Sequence, residues 1–86
     1  MYWYTYVLES KIDKKFYIGI THNVKYRIKR HNKGEVLSTK NRKPFNLVYC
    51  EICLNQRDAI KREKYFKTGF GRRFLKNRLE NYYKNE

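Results

Sequence analysis

The residues Phe16 to His31, FYIGITHNVKYRIKRH, constrain this chain more than any other stretch. Phe16, Ile18 and Ile20 alternate with Tyr17, Gly19 and Thr21, which is the period of a half-buried strand. The first set reads as core. The second set has a hydroxyl at each end and no side chain between. Three readings stand for Gly19: a group approaching the backbone closely, a bulge, or crowding by a neighbouring helix. Immediately upstream, Tyr2–Glu9 (YWYTYVLE) is aromatic and β-branched and predicts the partner strand. Trp3, Thr5 and Val7 share one face of it, and Tyr2, Tyr4, Tyr6 and Leu8 the other. The polar Ser10–Lys15 segment (SKIDKK) predicts a hairpin loop between the two strands.

Asn23 is a suitable N-cap, and Val24–Lys33 predicts a helix that Gly34 stops. At helical spacing Val24, Ile28 and His31 form a narrow apolar seam, with Arg27 at its edge one turn before His31. Taken singly, Arg27 reads as a solvated basic residue and His31 as a packed seam histidine. Only their neighbours give them a further meaning.

Glu35–Lys43 is a polar, basic connector closed by Pro44, and Phe45–Cys53 (FNLVYCEIC) predicts a third strand. Cys50 and Cys53 match C-x-x-C, but in a strand they project to opposite faces, which disfavours a shared metal or a local disulfide. Two reduced cysteines in a cytoplasmic protein are expected. Asn55 caps a helix predicted over Gln56–Thr68, with Ala59, Ile60 and Phe66 on its buried stripe. Glu63 falls in that stripe, while Lys61, Arg62, Lys64 and Lys67 serve the solvent faces. A carboxylate near a core needs a cation or a metal. Both readings stay open, with Arg27 or Arg62 as the cationic partner. Thr68-Gly69-Phe70-Gly71 is read as a helix break, and Arg72–Lys84 as a final amphipathic helix with Phe74, Leu75, Leu79 and Tyr82 inward. Arg72 and Arg73 at its start are candidates for holding a phosphate, or a pair of solvated arginines.

At 86 residues the chain predicts one domain, 1–86, burying roughly 60–65% of its unfolded surface. Lys and Arg number 21 against 8 acids, a formal charge of +13. Such an excess costs self-repulsion and points to a polyanionic partner. No apolar run approaches the ~20 residues of a spanning helix, and the N-terminus lacks the basic-then-apolar order of a signal peptide. Nucleic acid is therefore the expected partner, with no membrane, no required protein partner, and a cytoplasmic monomer.

These motifs, in this order, resemble the GIY-YIG nuclease family over nearly the whole chain. Tyr4-Thr5-Tyr6 corresponds to the first motif, keeping its final tyrosine but replacing the leading glycine and isoleucine. Tyr17-Ile18-Gly19 matches the second literally. Asn23, Arg27 and His31 fit the helix pattern N-x-x-x-R-x-x-x-H, and Ala59 and Glu63 fit the later A-x-x-x-E. The chain is similar to small stand-alone bacterial members, related to the nuclease module of the repair excinuclease and to junction nucleases. The resemblance implies an α/β (α+β) fold, a small three-stranded, largely antiparallel sheet flanked by helices. It also implies hydrolysis of DNA phosphodiesters with Mg²⁺ or Mn²⁺, with little sequence preference. Tyr6 would activate water, Tyr17 would position water or phosphate, Arg27 would neutralise phosphate charge, His31 would support the base, and Glu63 would hold one metal ion. Ser38, Thr39 or Lys40 would supply a polar group from the connector. Gly19, Thr21, Arg30, Lys40, Arg42, Arg72 and Arg73 are the expected nucleic-acid contacts. A non-catalytic binding module with the same fold is the alternative.

Overall fold

The computed structural model describes residues 1–85, and its strands lie in the order β2 (Phe16–Thr21), β1 (Trp3–Ser10), β3 (Phe45–Cys53), both pairings antiparallel. Glu86, the last residue of the expected domain, lies outside the described residues. Four helices, α1 (Val24–Asn32), α2 (Gln56–Phe66), α3 (Gly69–Arg78) and α4 (Glu80–Lys84), complete the described α+β fold. None of them is long and apolar enough to cross a membrane.

The central position of β1 explains its sequence. A strand with neighbours on both edges and helices on both faces has no solvent side, and Thr5 to Ser10 are all buried. Val7 joins Ile18, Phe66 and Leu75 on the face carrying α2 and α3. Tyr6 and Leu8 join Phe45 on the other face, where Val24 and Ile28 of α1 pack. Burying such side chains contributes about 1.5–3 kcal/mol each. Thr5, buried among apolar groups, donates its hydroxyl to the Ala59 carbonyl at 2.9 Å and so carries no unsatisfied polar atom.

The hairpin loop is built by its own polar side chains. Ser10 Oγ accepts from the Ile12 and Asp13 N–H groups and donates to the Arg42 carbonyl at 2.6 Å. Arg42, expected at the nucleic-acid surface, is engaged here instead. Its Nε pairs with Asp13 at 2.9 Å, and its Nη2 donates to the carbonyls of Lys15 and Phe16. The arginine ties the connector to the hairpin.

The stripe of α2 differs from the expected one. Arg62, assigned to solvent, makes a two-pronged bond to Glu51 of β3 at 2.8 and 3.0 Å and lies over the rings of Tyr65, Phe66 and Phe74. Its long apolar stem and planar head let it serve as core on one side and ion pair on the other. Glu63 is only half-buried, and its partner is neither Arg27 nor Arg62 but Lys67, one turn on, at 3.3 Å. The helix break also sits earlier than the glycines suggest. Thr68 accepts from the Gly71 N–H at 3.1 Å, so Gly69 and Gly71 form the first turn of α3, not the gap before it. Leu79 then interrupts the final helix, although i to i−4 bonds run through it on both sides.

Gly71 is the residue that lets α3 pack against the end of α2, since a Cβ there would run into the Tyr65 carbonyl and the Phe66 backbone. Gly69 has nothing within 4 Å of such an atom. Gly71→Ala is therefore expected to lower stability by about 2–3 kcal/mol in urea unfolding. Gly69→Ala should change it by less than about 1 kcal/mol. Equal effects would mean that the close approach is not what Gly71 supplies.

Candidate active site

Tyr6 stands opposite Gly19 in the β1–β2 register, and its phenol lies over the glycine. A Cβ on Gly19 would sit 2.5 Å from the Tyr6 oxygen and 2.7 Å from its ring carbon. The group that approaches this glycine is thus a side chain of the protein, not a ligand, a bulge or a helix. Gly19 is buried, and its expected place among the nucleic-acid contacts gives way to this packing role.

Two groups converge on the Tyr6 hydroxyl. His31 Nε2 lies 3.2 Å from the Tyr6 hydroxyl and Arg27 Nε 3.4 Å from it, both from α1. One helical turn separates Arg27 from His31, so a single helix delivers both to the same oxygen. The Tyr17 ring packs 4.9 Å from the imidazole and the Phe45 ring 5.9 Å from it. Thr39, fully buried, meets His31 Nδ1 at 2.8 Å and directs its own hydroxyl to the Val36 carbonyl at 3.4 Å. Of the three connector residues considered, Thr39 is the one that reaches the site, whereas Ser38 and Lys40 are exposed.

The direction of these bonds follows from charge. Burial, then the Arg27 and Arg30 cations, lowers the His31 pKa from its ordinary 6.5 to about 4, so the ring is neutral at pH 7. Burial raises the Tyr6 pKa above 10 and outweighs the Arg27 hydrogen bond, with smaller contributions from Tyr17 and from the Glu63 carboxylate. Arg27 can only donate. Were His31 also to donate to Tyr6, the buried phenol hydrogen would have no acceptor. The consistent chain runs from Arg27 Nε–H to the Tyr6 oxygen, from Tyr6 O–H to His31 Nε2, from His31 Nδ1–H to Thr39, and from Thr39 to Val36. Tyr6 thus faces a base on one side and a fixed cation on the other. At rest its proton stays put, because burial raises the phenol pKa and lowers that of the imidazole, so transfer to His31 is uphill.

Glu63 is close enough to Tyr6 to raise its pKa. Among the described residues no group of three or more His, Cys, Asp or Glu side chains could hold a metal. A half-buried carboxylate does fit a hard ion such as Mg²⁺, which takes one or two carboxylates and completes its shell with waters and phosphate. The remaining expected contacts lie elsewhere. Thr21 is bonded to the backbone of Asn23 at the start of α1, and Arg30 pairs with Glu35 at 3.5 Å. Lys40 is exposed on the connector, Arg72 stands beside Lys76, and Arg73 lies over the Phe70 ring at 4.8 Å. The roles of Thr39 and Phe45 around His31 carry no sequence signal beyond a hydroxyl and a ring.

A family model described as the GIY-YIG catalytic domain matches residues 2–78. The chain is 45% identical over 65 residues to a UPF0213 protein of Clostridium perfringens, covering 74% of this chain and 69% of that protein. It is 41% identical over 66 residues to a UPF0213 protein of Staphylococcus haemolyticus, covering 76% and 79%. The solution NMR structure of a UPF0213 protein from Bacillus halodurans superposes with a TM-score of 0.54 at 33% identity, covering 87% of this chain and 82% of the other.

The depressed pKa of His31 sets a pH window. The unfolded imidazole binds a proton near 6.5 and the folded one only near 4. Stability is therefore intact above pH 6.5 and falls as pH drops toward 4, by roughly 2–3 kcal/mol. The depressed carboxylates, Asp13 and Glu51, lose their contribution only from about pH 4.5 downward, at the low end of this window. Thermal unfolding across pH 6.5 to 4.5 should show the loss in the parent and little of it in His31→Gln. An unchanged slope in the variant would mean that His31 is not buried neutral.

Proposed function

Because this chain belongs to the GIY-YIG family, whose domain is of nuclease type, we propose that it is a divalent-metal-dependent endonuclease acting on DNA with little sequence preference. The observation that carries this reading is the Tyr6 hydroxyl held between Arg27 and His31 at 3.4 and 3.2 Å. A structural tyrosine needs one partner. This one has a cation that favours the phenolate and a neutral base that can take its proton.

The mechanism follows from these atoms. As water attacks phosphorus, its proton passes to the Tyr6 oxygen while the phenol proton passes to His31 Nε2. The P–O bond to the leaving alkoxide breaks, and that oxygen takes a proton from solvent. Arg27, already donating into the site, has further N–H groups for a phosphate oxygen. Tyr17, edging the imidazole, positions water or the scissile phosphate. Thr39 keeps the Nδ1 proton of His31 in place, so that Nε2 remains the acceptor. Glu63 would hold Mg²⁺ or Mn²⁺, which when bound supplies Lewis-acid stabilisation of the phosphate oxygens. The uphill resting transfer makes the site silent until substrate and cation change the local field. Structure-selective action on DNA in repair or recombination would suit so basic a surface, which holds the backbone irrespective of base sequence. The second reading, a non-catalytic binding module, draws on the Glu63–Lys67 pair, which gives the carboxylate a purely structural partner.

A panel of labelled duplex, flap, junction and single-stranded DNAs decides between them. Cleavage is expected with Mg²⁺ or Mn²⁺ and none with EDTA. Tyr6→Phe should lower turnover by about 10²–10⁴-fold, the range for lost general-base assistance. Glu63→Gln should bind DNA as the parent does and cut below detection. Cleavage in EDTA, or parental cutting by either variant, would remove the proposed roles. Absence of cleavage on every substrate would favour the binding module.

A further inference from the structure

A cavity of about 210 Å³ lies beside the hairpin loop, lined by Lys14, Lys15, Phe16, Arg72, Lys76 and Tyr83. We infer that it is a second nucleic-acid site, which takes a backbone phosphate and the adjoining unstacked base of a single strand. The proposal rests on the nuclease reading only for the identity of the polymer.

Four cations around one cavity repel each other, and the five acids found in ion pairs face other cations, while Glu9, next to the cavity, is taken up by two tyrosine hydroxyls. Asp13 pairs with Arg42, Glu35 with Arg30, Glu51 with Arg62, Glu63 with Lys67 and Glu80 with Lys84. Among the described residues, none of the four lining cations is in an ion pair. No acid lines the cavity. Such an arrangement is stabilised by an anion from outside. Phosphodiester oxygens suit it, with Arg72 as the planar donor and the lysines as point charges.

Two further observations point the same way. Lys14 holds a left-handed backbone, φ 62°, which glycine adopts without strain and lysine does not. The turn is pinned there by Ser10 and by the Asp13–Arg42 pair, so the ammonium is presented at a cost in stability. The aromatic wall is also held in place. Glu9 is buried, and its two carboxylate oxygens accept from the Tyr82 and Tyr83 hydroxyls at 2.9 Å each. This fixes α4, which lies beyond the family match to residue 78, and leaves Tyr83 40% exposed. A fixed, half-exposed tyrosine beside cations is the platform on which unpaired bases stack.

The cavity and the Tyr6 site lie on opposite faces of the sheet. Phe16 packs on the face of α2 and α3, whereas Tyr17 packs with Tyr6 on the face of α1. Both border the β2 edge, and Phe16 is about 10 Å along the strand from Gly19. A strand crossing that edge would be held at two points.

Binding of a short oligothymidylate in EDTA, followed by anisotropy and amide NMR, tests this without any cleavage. Shifts should centre on Lys14–Phe16, Arg72, Lys76 and Tyr83. Lys14→Gln with Lys76→Gln should weaken binding about tenfold and lower the salt slope by about 2. Arg57→Gln with Lys61→Gln, an equal loss of charge on the outside of α2, should weaken it less than about threefold. Equal losses in the two pairs, shifts centred elsewhere, or equally tight binding of inorganic phosphate would overturn the site. Binding there by a protein that never cuts DNA would leave the site standing and remove the nuclease reading.

Discussion

The structure depends on one crowded contact, the Tyr6 phenol laid over the bare backbone of Gly19. Only a residue without a Cβ admits the hydroxyl. Only a central strand buries it, at 1% exposure, without burying its oxygen unpaired. From that contact the surroundings follow. The oxygen points to α1, where a residue pair one turn apart meets it, and the imidazole in turn needs Thr39 from the connector. Loss of any member would leave a buried polar atom without a partner, so the site and this half of the core are one structure.

Electrostatics divides the molecule in the same way. A +13 chain has few acids to spend, and the structure spends them on order: Glu51 locks Arg62 into the α2–α3 packing, Asp13 locks the hairpin, and Glu9 fixes the last helix. Glu63 has only a flexible lysine, an exposed i,i+4 pair of the kind that contributes little. It is therefore an acid readily given up to a cation. The unpaired lysines and arginines are left for a polyanion.

The fold was legible because its strands and helices have clean periods. The order of Tyr6, Tyr17, Gly19, Arg27, His31 and Glu63 was legible as a pattern. Side-chain partnership was not. Nothing local tells that Arg62 turns inward to Glu51 while Glu63 turns toward Lys67, because both sit at the margin of the same stripe and β3 decides. Gly19 admits three readings in the sequence, which shows a missing side chain but not what fills the space. Thr39 could not be separated from Ser38 and Lys40, because burial of one residue in a polar loop depends on the histidine it meets. Arg42 looked like surface charge for the same reason, and its partner Asp13 is 29 residues away.

The central claim is that Tyr6 gives its hydrogen bond to a neutral His31 and so has a route for its proton. The ¹⁵N imidazole resonances of His31 report this directly in the free protein. At pH 7 the ring should be neutral, with its proton on Nδ1 and a bare Nε2. A proton on Nε2, or an imidazolium at that pH, would contradict it.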